Sequence, residues 1–165
     1  MNIDSIKRIV IFLSLCLVQV LMFNRIQLFG CATPLLYVYY VILFPRDYPK
    51  WSILLQSFAL GMVIDTFSNT PGVAMGALTL IGALQPYLLN LFVPNEAEEG
   101  MKSSASSMGK WKFVSYASLM TFIYTIAFFT LETFSFFNWI HWLACVFGST
   151  CITLVLIFAL ESIRK

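Results

Sequence analysis

Asp65, Glu132 and His141 are the side chains of this sequence with the means to do proton or metal chemistry in an apolar setting. Asp65 sits in "GMVIDTFSNTPG" (61–72), behind a run of apolar residues and ahead of a turn rich in Ser, Asn, Pro and Gly. A carboxylate in such a place is costly unless it finds a partner, water or an ion. Two carboxylates and an imidazole on one side of a bundle could hold a cation, but solvation at helix ends is the favoured reading for Glu132 and His141. A Gly-rich phosphate loop, H-E-x-x-H and G-x-S-x-G do not occur, and one histidine cannot make a multi-histidine metal centre. Cys16, Cys31, Cys145 and Cys151 lie in or beside apolar runs without C-x-x-C spacing, which favours packing thiols over a disulfide or metal framework. No catalytic residue, metal or cofactor is expected.

Composition sets the elements that must position these groups. Of 165 residues, 59% are hydrophobic and 11% charged, against about a quarter charged in an ordinary soluble domain. The 16 phenylalanines exceed what one small water-surrounded core can bury. The chain reads as a single all-α membrane domain, 1–165, and its net charge of +2 gives no reason to expect nucleic acid. Lys7 and Arg8 ahead of an apolar run, with "LFGC" ending at Cys31, imitate a secretory signal. Asn24, Arg25 and Gln27 interrupt that pattern and Phe29 is too bulky for a cleavage box, so a retained first helix is the better reading.

A helix crosses the hydrocarbon core with about 20 mostly apolar residues. Apolar runs between polar punctuation predict six, at 6–23, 28–44, 51–67, 73–93, 113–131 and 139–160. Pro34 is accommodated as a first-turn proline of the second. Alternate connections then collect Lys7 and Arg8, Arg46 and Lys50, Lys102, Lys110 and Lys112, and Arg164 and Lys165, nine of the ten basic residues. The opposite side receives only Arg25. The positive-inside rule puts both termini in the cytoplasm, and Trp51, Trp111, Trp139 and Trp142 fall at helix ends as interfacial aromatics should. The 94–112 connection, acidic, then Ser-rich, then basic, is expected to be a mobile cytoplasmic loop.

Within this frame Asp65 lies fourteen residues beyond Trp51, about 21 Å along the third helix. Ser57, Gly61, Asp65 and Ser68 follow one another at spacings of four, four and three and form one stripe. Small residues let a neighbouring membrane helix approach closely, and Gly72, Gly76 and Gly82 continue the theme on the fourth helix. The favoured reading is a packing seam whose carboxylate accepts hydrogen bonds from backbone N–H groups of the following turn; a ligand or ion site and direct partner contact are the alternatives. Bulk at Gly61 is expected to cost more than bulk at Gly82. Gln19 and Gln85 are candidate inter-helix hydrogen-bonders, and Pro86 is expected to bend the fourth helix.

The order of these landmarks resembles the rod shape-determining protein MreD family. Gln19 in the first helix, "LFGCATP" (28–34) opening the second, and "SFALGMVIDTFSNTPGVAMGALTL" (57–80) carry the likeness, with Gly61, Asp65 and Gly72 on its pattern. Ser57 stands where that family usually has Gly, and Leu35 where an acidic residue commonly follows the proline. The likeness covers the whole chain in layout and its first half in motifs.

The resemblance implies a non-enzymatic scaffold of the cell-wall elongation machinery, a multi-pass protein of the inner (cytoplasmic) membrane that regulates cell shape and lateral peptidoglycan synthesis. Its partner would be MreC, docked by intramembrane helix packing, and through it MreB, RodA and the elongation transpeptidase, with membrane lipid around. It also implies a fold similar to the S-components of energy-coupling-factor transporters. That supplies an alternative function, a small-molecule-binding transporter subunit, disfavoured because the first helix ("RIVIFLSLCLVQVL") has no alanine docking stripe.

Overall fold

Pro49, Asn69 and Gly72 punctuate the middle of the chain, and the long helices begin and end at such residues. The computed structural model describes residues 3–21, 33–93, 108–133 and 138–163. They form α1 (Ile3–Leu21), α2 (Val38–Ile42), α3 (Lys50–Ser68), α4 (Val73–Phe92), α5 (Lys110–Thr133) and α6 (Trp139–Ile163), with no strand among the described residues. Pro49 caps α3 in an extended conformation, and Asn69 closes it in the left-handed region at φ 57°. Gly72, at φ +87°, then starts α4, a conformation costing a residue with a Cβ about 1–2 kcal/mol.

Four helices, α3 to α6, are long and apolar enough to cross a bilayer. α1 is 19 residues long but carries Asp4, Lys7 and Arg8 in its first third. Exposed positions hold bulky apolar groups such as Trp51, Leu55, Phe58, Met62 and Phe67 on α3, while Ser57, Gly61 and Asp65 of the same helix are buried. Large apolar groups outside and small polar ones inside suit a hydrocarbon surrounding, where helices associate by close packing. The protein is a multi-pass membrane protein by this construction. Trp51, Trp111 and Trp139 are exposed at helix starts, and Trp142 is half-buried one turn into α6.

Contacts fix the directions of the elements. Arg8 of α1 stacks over Tyr48 just before α3, Lys50 of α3 lies over Tyr87 near the end of α4, and Phe92 meets Tyr116 early in α5. Arg8, Arg46, Lys50, Lys110 and Lys112 therefore gather at one end of the bundle. At the other end Asp65 meets Ala74, and Leu131 of α5 approaches Gly76. Arg25, Lys102, Arg164, Lys165, Cys31 and the 94–107 part of the long connection lie outside the described residues. Lys110, Trp111 and Lys112, expected in that connection, are the first turn of α5.

The second predicted helix is corrected. Within 28–44, residues 28–32 lie outside the description, 33–37 are not helical, and α2 has five residues. Pro34 donates no N–H and biases Thr33 away from helical angles, so it does not open a helix; α2 starts four residues later. In the first turns Val38, Tyr39 and Tyr40 donate to carbonyls three residues back. Yet residues 34–42 are all buried, and a buried backbone must pair every polar group. Side chains do so. Thr33 N–H donates to Ser149 Oγ at 3.0 Å, Leu35 N–H to Thr153 Oγ1 at 3.0 Å and Leu36 N–H to Gln19 Oε1 at 3.2 Å. Gln19 Nε2 donates in turn to the Pro34 carbonyl at 3.0 Å, and Gln85 Nε2 to the Phe44 carbonyl at 3.1 Å.

The tyrosines of this segment extend the attachment. Tyr37 hydrogen-bonds Tyr124 of α5, Tyr39 donates to Glu161 of α6 at 2.6 Å, and Tyr40 donates to Gln56 of α3. With Gln19 on α1 and Gln85 on α4, the broken segment is tied to all five other helices.

Gln19→Leu strips a donor from the Pro34 carbonyl and an acceptor from the Leu36 N–H. At about 1–3 kcal/mol for each buried group left unpaired, the folded bundle should lose about 2–6 kcal/mol. Thr153→Val, which strands one N–H, should lose about half of that. Reversible unfolding in detergent compares the two; equal stability of Gln19→Leu and the unmodified protein would contradict the assignment.

Candidate functional site

The joint between α3 and α4 is where the predicted stripe meets its partner surface, and these two helices make the most extensive contact in the bundle. Asp65 is buried one turn before the end of α3. Its Oδ1 accepts from Ala74 N–H at 2.9 Å and its Oδ2 from Met75 N–H at 2.9 Å. These are the second and third residues of α4, whose first N–H groups have no partner within the helix. The carboxylate does from nine residues upstream what a local N-cap side chain does elsewhere, and its charge suits the positive end of the helix dipole. Thr70 Oγ1 adds a donor to Oδ1 at 3.2 Å. The Asp65 carbonyl accepts from Asn69 N–H, which closes α3. One residue thus ends one helix and begins the next.

Gly61 makes this geometry possible. A Cβ there would lie 2.4 Å from Met75 Cα, 2.7 Å from Met75 N and 2.9 Å from the Ala74 carbonyl oxygen. Three backbone atoms cannot move aside, so only glycine lets α3 come close enough for Asp65 to reach both N–H groups. Two turns deeper the crossing is again tight. A Cβ on Gly82 would lie 2.6 Å from Ser57 Oγ and 3.0 Å from Ser57 Cβ. Here the obstacle is a side chain whose hydroxyl can turn.

The other predicted residues divide. Ser57, Gly61 and Asp65 share the joint, and Ser68 is half-buried one turn on. Gly72 serves the turn by its backbone angle, since a Cβ there meets nothing within 4 Å. Gly76 is turned away from α3 and faces Leu131 of α5, 3.2 Å from the position of its absent Cβ. Gln85 bonds the Phe44 carbonyl and, at 3.3 Å, the Tyr116 hydroxyl of α5. Gln19 serves backbone rather than another helix's side chain. α4 runs unbroken through Pro86.

Glu132 and His141 are exposed, and His141 Nδ1 lies 3.5 Å from Cys145 Sγ one turn along its own helix. Among the described residues no three of the His, Cys, Asp and Glu side chains gather as metal ligands, so Asp65, Glu132 and His141 do not form a cation site. Cys16 and Cys145 are buried, and Cys151 is exposed on α6.

Sequence reasoning passed over Ser149, Thr153 and Glu161 on α6 and the Tyr48–Gln56 cluster at the start of α3. The one available signal was spacing: Ser149 and Thr153 are four apart, hence on one face of an otherwise very apolar helix, with Glu161 eight further on. No family model, curated protein or solved structure matches the chain.

Gly61→Ala should destabilise the bundle by about 1–3 kcal/mol, the usual cost of overpacking, and Gly82→Ala by less. Ser57→Ala should partly restore Gly82→Ala and do nothing for Gly61→Ala. Melting temperatures of the five proteins decide this, and a reversed order would refute the geometry. Asp65→Asn keeps one acceptor oxygen but turns an N–H₂ toward a backbone donor. It should fall between the unmodified protein and Asp65→Leu in yield of folded protein; Asn at or below Leu would contradict the bidentate cap.

Proposed function

We propose that this chain is a non-enzymatic membrane scaffold of the MreD type, working in cell-wall elongation by packing its helices against a single-span MreC partner. The observation that carries this reading is the use made of Asp65. Both of its oxygens accept from the backbone of α4, so the residue central to the MreD-like stripe 57–80 acts as a structural joint. A rigid joint of this kind suits a protein that presents a fixed lateral surface to another helix. The exposed apolar faces of α1 and α3, with Leu17, Leu21, Leu55 and Met62 among them, offer such a surface. The positive-inside rule puts the basic end of the bundle in the cytoplasm, with the protein in the inner membrane. MreB, RodA and the elongation transpeptidase are then reached through MreC.

An affinity tag on the chain, capture from native membranes under mild detergent, and identification of co-purifying proteins test the proposal. MreC should be recovered with the unmodified protein and severalfold less with Asp65→Leu at equal membrane insertion, and cells carrying that variant should widen. Full recovery of MreC with Asp65→Leu would contradict the role given to the joint. A tightly retained small molecule in place of MreC would favour a transporter subunit similar to the S-components.

A further inference from the structure

At the basic end of the bundle a groove of about 440 Å³ opens between α1 and the start of α3, within the about 300–1,000 Å³ span of small-molecule sites. One wall is apolar and made by Ile9, Phe12 and Leu13 of α1. Ile9 and Leu13 are more than half exposed, so this wall is open sideways, where acyl chains lie. The other wall is polar. Gln56 Nε2 donates to Tyr48 Oη at 3.0 Å and to Ser52 Oγ at 3.0 Å, and Tyr40 donates to Gln56 Oε1.

Arg8 stands where the two walls meet. Its guanidinium carbon lies 4.1 Å from the centre of the Tyr48 ring and 5.8 Å from that of Phe44. Its Nη1 is buried without a hydrogen-bond partner. The cation is therefore positioned by aromatic faces with its Nη1 donor unused. Burial pushes the Tyr48 hydroxyl up, but the bonds to Ser52 and Gln56, and then the charge and a hydrogen bond of Arg8, bring it below its ordinary value.

From this geometry we infer that the groove is a binding site for an anionic phospholipid, with its phosphodiester on Arg8 beside Tyr48 and an acyl chain along Ile9, Phe12 and Leu13. A guanidinium with unused donors matches a phosphate by charge and by its forked hydrogen bonding. A second membrane helix would fill the apolar wall but leave the buried Nη1 of Arg8 without an acceptor. A free phosphate would pair the cation but leave the apolar wall bare. A lipid satisfies both at once, and membranes present such lipids at the face where basic residues collect.

The test is native mass spectrometry of the full chain from mixed micelles with equal phosphatidylglycerol and phosphatidylcholine of the same acyl chains. The unmodified protein should retain phosphatidylglycerol about fivefold over phosphatidylcholine, the preference of roughly one well-placed basic residue. Arg8→Gln should bring that ratio to about one, and Lys112→Gln, an exposed basic residue of the same end, should leave it unchanged. Should Arg8→Gln not fold, the melting temperature of the unmodified protein with each lipid decides instead, and phosphatidylglycerol should raise it more. Equal retention of the two lipids, an unaltered preference in Arg8→Gln, or an equal loss in Lys112→Gln overturns the site. Inorganic phosphate that displaces the bound lipid or matches its thermal effect overturns the lipid assignment.

Discussion

Water is scarce inside a membrane bundle, so a backbone N–H or carbonyl that leaves its helix must be met by another part of the protein. The arrangement of polar residues here follows from that constraint. Among the described residues the chain leaves regular helix on both sides of α2, at 33–37 and after Ile42, and at the turn between α3 and α4. At each place side chains supply missing hydrogen bonds. Gln19, Ser149 and Thr153 serve the first break, Gln85 the second at Phe44, and Asp65 the third. In this bundle these polar residues therefore do structural work, and their positions mark the breaks.

The same constraint explains why a five-residue helix can lie at the centre of the molecule. Alone, α2 is too short to be stable in water and too short to cross a bilayer. It is held because Tyr37, Tyr39 and Tyr40 bond to three different helices while Gln19 and Gln85 fasten its flanks from two more. Buried tyrosines bring large apolar rings together with a polar tip that needs a partner. Each tip finds one, Phe12 and Phe44 pack edge-on against Tyr40, and Phe128 lies tilted against Tyr124, the partner of Tyr37. A central segment fixed in this way gives the outer helices a common reference.

Much of this was legible in the sequence, and the part that was not has a physical reason. α3, α4, α5 and α6 begin and end within three residues of the apolar runs that predict them, because a long apolar run bounded by Pro, Gly or charge leaves the backbone little alternative to helix. The stripe Ser57–Gly61–Asp65 and its bonds to the following turn were also readable, since the partner N–H groups lie only nine and ten residues away. The break at 33–37 was not. Its sequence is as apolar as a helix, and the groups that stabilise it, Ser149 and Thr153, stand more than a hundred residues downstream. Glu161 was passed over, and only its place opposite Tyr39 shows its use. Gly76 fitted the glycine pattern by spacing, yet it serves the neighbour on the other side, α5.

The central claim is that the buried polar side chains hold broken backbone, and amide exchange tests it most directly. Residue-resolved hydrogen–deuterium exchange of the detergent-solubilised protein should show slow amides at Leu35, Leu36, Ala74 and Met75, although none has a backbone acceptor within a regular helix turn. Replacing Gln19 by leucine should speed exchange at Leu36 while leaving Ala74 and Met75 slow, and replacing Asp65 by leucine should do the reverse. Fast exchange at all four sites in the unmodified protein, or rates indifferent to both substitutions, would contradict it.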